Sequence, residues 1–194
     1  MYLYAISLPG NIEAEISALK RTLFSSTGNV SLFAFPQVIP IMFSAKAPSE
    51  AFLNERNRRK VIPPSSLAGF MDSAICDEGG VLSFSGSVPG WEEISTSLRS
   101  LVGEDSGEFK THSEFFRMIR DKGIVDRSAR QKEILFSVPE IFIGYSDIQE
   151  KGSLLSSKLP TLTIRWKRGD LICYSIETGN EQAWWEQVSF NEIL

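Results

Sequence analysis

Thr161, Thr163 and Arg165 fall on alternate positions of the segment Thr161-Leu162-Thr163-Ile164-Arg165. Alternate residues of an extended strand share a face, so this segment is expected to present two hydroxyls and a guanidinium together. Hydroxyls beside an arginine fork can hold a phosphate or a carboxylate. A strand with a polar face turned to water would carry the same pattern, because threonine favours strands in its own right.

Other reactive residue types are sparse. His112 is the single histidine, so a mechanism needing two imidazoles is excluded, and its place between Thr111 and Glu114 reads as part of a helix cap. Cys76 and Cys173 lie far apart and follow no metal-ligand spacing, which predicts reduced structural thiols. Asp77 and Glu78 beside Cys76 disfavour a thiolate. Asp72, Asp77 and Glu78 form an acidic stretch that could take a metal only if the ligands converge; a solvated loop is the expectation, with no metal and no cofactor. Neither a phosphate-binding glycine loop nor a Gly-x-Ser-x-Gly elbow occurs. Arg168-Gly169-Asp170 reads as a hairpin turn.

These residues need elements to position them. Residues 2–8 read as a strand ending at Pro9-Gly10. Ile12, Ile16, Leu19 and Leu23 then mark one face of a helix capped by Asn11 and ended near Gly28. Apolar runs at 30–35 and 38–44 predict a strand pair or one kinked strand around Pro36. Residues 46–80 look irregular, with at most one short helix from Ser49 to Arg58. A strand over 81–88 is followed by a helix through Trp91, Ile94, Leu98 and Leu101. Thr111-x-x-Glu114 predicts a capping box that opens a helix closed by Gly123. Strand-like runs follow at 134–138 and 141–145. A hairpin is expected from 162–166 to 171–176, and a last strand over 184–190. Strands and helices mix without a strict alternation, which points to α+β.

The composition is 42% hydrophobic and 23% charged over 194 residues, which suits one globular unit or two small lobes. The net charge of −4 gives no global field to recruit nucleic acid. Basic runs at Arg56, Arg58, Arg59 and Lys60, and at Arg117, Arg120, Lys122, Arg127, Arg130 and Lys132, read as solvated surfaces. No apolar stretch approaches the ~20 residues of a membrane span, and Met1-Tyr2-Leu3-Tyr4 lacks the basic start of a signal peptide. A cytoplasmic location is therefore expected, with no membrane partner.

The chain also repeats itself. Ser7-Leu8-Pro9-Gly10 ends one strand-like run and opens a helix, and Ser87-Val88-Pro89-Gly90 does the same eighty positions later. The helices after them match in pattern, Ile16-Ser17-Ala18-Leu19-Lys20-Arg21 against Ile94-Ser95-Thr96-Ser97-Leu98-Arg99. This duplicated strand–turn–helix unit predicts two pseudo-symmetric lobes, each with a sheet and flanking helices, around a central groove suited to a ligand. The lobe-like halves are expected at about 1–60 and 81–194, joined through about 46–80, within a single bilobal domain whose terminal strands are free to cross between lobes.

The arrangement resembles the 2H phosphoesterase superfamily, the 2′,5′ RNA ligase-like and cyclic phosphodiesterase-like proteins. Tyr4-Ala5-Ile6-Ser7-Leu8-Pro9 looks like that family's first strand. Thr161-Leu162-Thr163-Ile164-Arg165 looks like its second His-x-Thr strand, with Thr161 in place of the histidine. The first motif would fall at Ile39, Pro40, Ile41 and Met42, where neither a histidine nor a hydroxyl remains. The resemblance implies acid–base chemistry by two histidines on a cyclic or 2′,5′-linked phosphate. Such catalysis is worth roughly 10²–10⁴-fold, and this chain lacks both groups. The expectation is a degenerate member, inactive in the family's reaction, whose groove binds a nucleotide, an RNA end or another phosphorylated ligand at Thr161, Thr163 and Arg165.

Two other readings compete. Trp166, Trp184 and Trp185 suit a protein interface, because successive strand residues face opposite sides and both tryptophans of the pair cannot enter one core. This describes a scaffold with a protein partner. The other reading is a metal-dependent enzyme built on Asp72, Asp77 or Glu78.

Overall fold

The computed structural model describes residues 1–28, 32, 35–61, 68–76, 81–103, 107–111, 114–115, 134–145, 162–165, 171–178 and 183–187. Strand β1 (Tyr2–Ser7) leads into helix α1 (Gly10–Thr27). The cap is Pro9 rather than Asn11: the Pro9 carbonyl accepts from the N–H groups of Ile12 and Glu13 at 2.9 and 3.0 Å. Gly28 ends the helix in the left-handed region that glycine takes without strain, its N–H bonded to Phe24 O. The chain returns as β2 (Val38–Ser44), antiparallel to β1.

The described residues between 46 and 76 hold more regular structure than the composition predicts. Two short helices, α2 (Glu50–Leu53) and α3 (Glu55–Val61), precede a nine-residue strand, β3 (Ala68–Cys76). Ser49 caps α2, accepting from Phe52 N–H at 3.1 Å, and donates to Leu101 O at 2.8 Å. Next come β4 (Val81–Ser87), α4 (Trp91–Val102), β5 (Glu108–Lys110), β6 (Ile134–Phe136), β7 (Glu140–Tyr145), β8 (Leu162–Arg165), β9 (Leu171–Thr178) and β10 (Ala183–Gln187). The capping box forms as expected, with Thr111 N–H donating to Glu114 at 2.8 Å and Glu114 N–H donating to Thr111 Oγ1 at 3.2 Å.

The strands make two sheets, one ordered β10-β9-β1-β2-β6-β5 and the other β7-β4-β3-β8. The fold is mixed α+β. Among the described residues, all pairings are antiparallel except that of β5 with β6. β8 and β9 do not form the expected hairpin, because β8 pairs with β3 in the smaller sheet and β9 with β1 in the larger. Periodicity marks a strand but carries no information on which neighbour it chooses. β9 and β10 do pair with each other, in the expected closing hairpin.

The core has two faces. On one side α1 and α4 lay Ile12, Ile16, Leu23, Ile94, Leu98 and Val102 against both sheets. On the other side Leu3, Ala5, Phe43, Phe136 and Phe142 pack with Phe35 and Phe115. β1 is covered on both faces, so Leu3, Tyr4, Ala5 and Ile6 are all buried, as for an interior strand.

One close approach fixes the seating of Leu32. A Cβ at Gly144 would lie 2.7 Å from Leu32 Cδ2 and 3.2 Å from Leu32 Cα. Gly144→Ala must therefore displace Leu32 backbone as well as side chain, and overpacking of this kind costs about 1–3 kcal/mol. Urea denaturation should show that loss of stability; an unchanged midpoint would mean Leu32 does not seat on β7.

Candidate functional site

The first motif segment is buried strand. Pro40 stands opposite Ala5, Ile39 opposite Ile6 and Met42 opposite Tyr4, with Ile41 as the extra residue of a bulge. The bulge explains a proline inside an interior strand: β6 pairs β2 only at Met42 and Phe43, so the missing N–H at Pro40 breaks no bond on that side. Ile39, Ile41 and Met42 join the helix-side core. This segment offers packing and no acid, base or hydroxyl.

The second motif segment maps to β8, the outer strand of the smaller sheet. Thr163 stands opposite Phe70 and Arg165 opposite Ala68, while Thr161 lies outside the described residues. Thr163 and Arg165 thus keep the i, i+2 spacing of a strand on β8. β8 is not the positional counterpart of β2. β2 follows α1 and pairs with β1; the strand that follows α4 and pairs with β4 is β7. β2 and β7 also contact each other.

β7 brings a residue that sequence reasoning passed over. Glu140 is buried, and its carboxylate accepts a 2.9 Å hydrogen bond from the equally buried Ser83 hydroxyl of β4. A buried carboxylate is costly unless hydrogen-bonded. Ser85 stands opposite Glu140 on one side and opposite Ser73 of β3 on the other, so polar positions cross the sheet in a row. The available signal was a charged residue opening the otherwise apolar run Glu140-Ile141-Phe142-Ile143.

Beside this row the sheet face away from α1 and α4 is aromatic. Phe35 meets Phe142 edge-on at 5.4 Å between centroids, and Phe115 meets both Phe43 and Phe136 at 5.1 Å.

The remaining candidates are placed as follows. The basic run at 56–60 is not wholly a solvated face: Arg58 is buried, donates to the carbonyls of Phe52 and Leu53 and lies over the Phe52 ring. It closes the C-terminal end of α2, a structural role for a cation at that end of a helix. Cys173 is buried, and desolvation pushes its thiol up to about 12, which removes it as a nucleophile near neutral pH. Asp72 is the extra residue of a bulge in β3 and Cys76 ends that strand. Asp77, Glu78, His112, Trp166 and Arg168-Gly169-Asp170 lie outside the described residues, as does the second basic run. Trp184 and Trp185 occupy β10, the outer strand of the larger sheet. Among the described residues, no three His, Cys, Asp or Glu side chains gather closely enough to hold a metal, and no helix is long and apolar enough to cross a membrane. A comparison with protein-family models and a comparison with curated protein sequences both return no match.

Proposed function

We propose that this chain is a 2H phosphoesterase-like protein that keeps a bilobal, pseudo-symmetric fold, has lost the family's reaction, and binds a phosphorylated ligand in the cytoplasm without cleaving it. The observation that carries the reading is the order of the strands. β9-β1-β2 in the larger sheet corresponds to β3-β4-β7 in the smaller, with α1 following β1 and α4 following β4 through the two Pro-Gly turns. β10 and β8 then take the matching outer places. On this reading β2 and β7 are the two motif strands. β2 offers Pro40 and Met42, β7 offers Glu140 and Phe142, and neither strand holds a histidine.

The ligand's anionic end belongs at Thr163 and Arg165, with Thr161 beside them. Glu140 repels a phosphate at the β7 side of the same sheet. Three strand spacings, about 14 Å, separate β7 from β8, so a phosphate on β8 escapes most of that repulsion at physiological salt. The aromatic packing at Phe35, Phe43, Phe115, Phe136 and Phe142 agrees with a groove turned from chemistry to packing.

A melting-temperature titration with 2′,3′-cyclic nucleotides and short RNA ends tests this. Saturation at a hundred times Kd should add about 2.7 kcal/mol of stability, with the nucleotide recovered intact. Thr163→Val combined with Arg165→Ala should abolish the gain. An undiminished gain in that double variant would remove the site, and hydrolysis of the nucleotide would remove the claim of lost activity. A flat response would favour a protein-binding scaffold, for which Phe109 of the outer strand β5, Val138 and Phe24 of α1, 59%, 37% and 39% exposed, are the exposed large apolar side chains among the described residues.

A further inference from the structure

A separate cleft opens on the helical side of the molecule, where α3 packs against α4. Its volume is about 450 Å³, and Asn57, Lys60, Thr96, Ser97 and Ser100 line it. That volume lies within the usual range for a small-molecule site. Val61, buried, and Leu101, partly buried, supply apolar lining.

The hydroxyls on the α4 wall are unusual for a helix. Serine and threonine in helices commonly bond back to a carbonyl of the preceding turn. Ser95 does so with Trp91 O at 2.9 Å, and in α1 Thr22, Ser25 and Ser26 bond to Ala18, Arg21 and Leu23. Among the described residues, Thr96, Ser97 and Ser100 make no such bond, and all three are exposed to the cleft. Thr96 and Ser100 are one turn apart and stack along one ridge. Across from them, the Asn57 amide is held in place by donating to Ala51 O at 3.1 Å. The Lys60 ammonium makes no ion pair among the described residues. Arg56 stands one turn before it on α3 and adds to the positive field around it. Glu93 stands one turn before Ser97 on α4 and is not part of the lining, so Lys60 is the charged group among the lining residues.

One cation, three free hydroxyls and a fixed amide make a polar lining. We infer that this cleft binds a phosphorylated polyol of sugar-monophosphate size, with the phosphate on Lys60 and the polyol hydroxyls along Thr96, Ser97 and Ser100. This site is distinct from β8 and does not depend on the proposed function.

Calorimetric titration of the whole protein with glucose 6-phosphate, glucose and inorganic phosphate tests it. Glucose 6-phosphate should bind more tightly than either fragment. Lys60→Gln should weaken it about ten- to a hundredfold, the loss of a charge-assisted hydrogen bond. Thr96→Val with Ser100→Ala should weaken glucose 6-phosphate and leave inorganic phosphate unchanged. The Thr163→Val, Arg165→Ala variant should bind as the parent does, which separates this site from the one on β8. Equal affinity for glucose and glucose 6-phosphate, equal affinity for phosphate and glucose 6-phosphate, or no binding of any of the three would each overturn the inference. Lys60, Thr96 and Ser100 are exposed, so these variants are expected to fold; parent-like melting temperatures confirm that.

Discussion

Replacing Lys20 with methionine is expected to stabilise this protein by about 3 kcal/mol at neutral pH. Lys20 lies on α1 one turn after Ile16 and one turn before Leu23, on the face turned to the sheets, and is 1% exposed. Burial alone lowers its ammonium from 10.5 to about 8, and no described residue gives it an ion pair or hydrogen bond. Each unit of such a displacement is worth about 1.4 kcal/mol, and methionine of similar length keeps the packing. The pH dependence follows from the sign of the displacement. Between about 8 and 10.5 the unfolded chain holds a proton on Lys20 that the folded chain has released, so stability rises with pH across that window. Below it the penalty is constant. The Tyr174 hydroxyl is raised by its burial and then by Glu13, so its titration in the unfolded chain works against folding near the top of the window. The buried Cys173 thiol, pushed up from 9.0 to about 12, costs parent and Lys20→Met alike as the unfolded chain's thiol ionises, so the comparison between pH 7 and 9.5 isolates the lysine: the parent should gain stability relative to the variant. Parallel curves would mean that the ammonium reaches water.

Lys20 also marks the limit of what the sequence made legible. The spacing of Ile12, Ile16, Leu19 and Leu23 predicts α1 and its buried face correctly, but it gives no warning that a lysine shares that face. α1, α4, the Thr111–Glu114 box and the strands around Pro139 were readable because each rests on contacts a few residues apart. The partners of β8 and β9 were not, because a strand's choice of sheet depends on residues far along the chain. Thr163 and Arg165 were found from local alternation, and they lie on a strand as expected. Ser83 and Glu140 were not found, since a buried serine–carboxylate pair is visible only once β4 and β7 are side by side. The cleft between α3 and α4 was hidden for the same reason. The segment that forms α3 read as a charge run, and the apolar spacing that marks α4 carries no information on what its hydroxyls face.

Phe115→Ala should carry the largest penalty of any single truncation in the aromatic layer, about 3–5 kcal/mol. The ring is fully buried and meets Phe43 of β2 and Phe136 of β6 edge-on, each at 5.1 Å between centroids. Such pairs add about 0.5–1.5 kcal/mol beyond burial. Phe115 follows the capping box directly, and its N–H bonds to Thr111 O at 3.1 Å, so the box fixes where the ring enters. The variant should lower the denaturation midpoint with an unchanged slope. Its second consequence is a cavity, because the surrounding rings of Phe35, Phe43, Phe136 and Phe142 cannot all close on the gap. An apolar void of that kind stays dry and accepts a small aromatic molecule. Benzene or indole should therefore restore part of the lost stability in Phe115→Ala and do nothing to the parent, whose space is filled. A loss below about 1 kcal/mol, or no rescue by either molecule, would mean that Phe115 caps this face from outside and does not complete it. With rescue, the face opposite the helices is a core sealed by one ring.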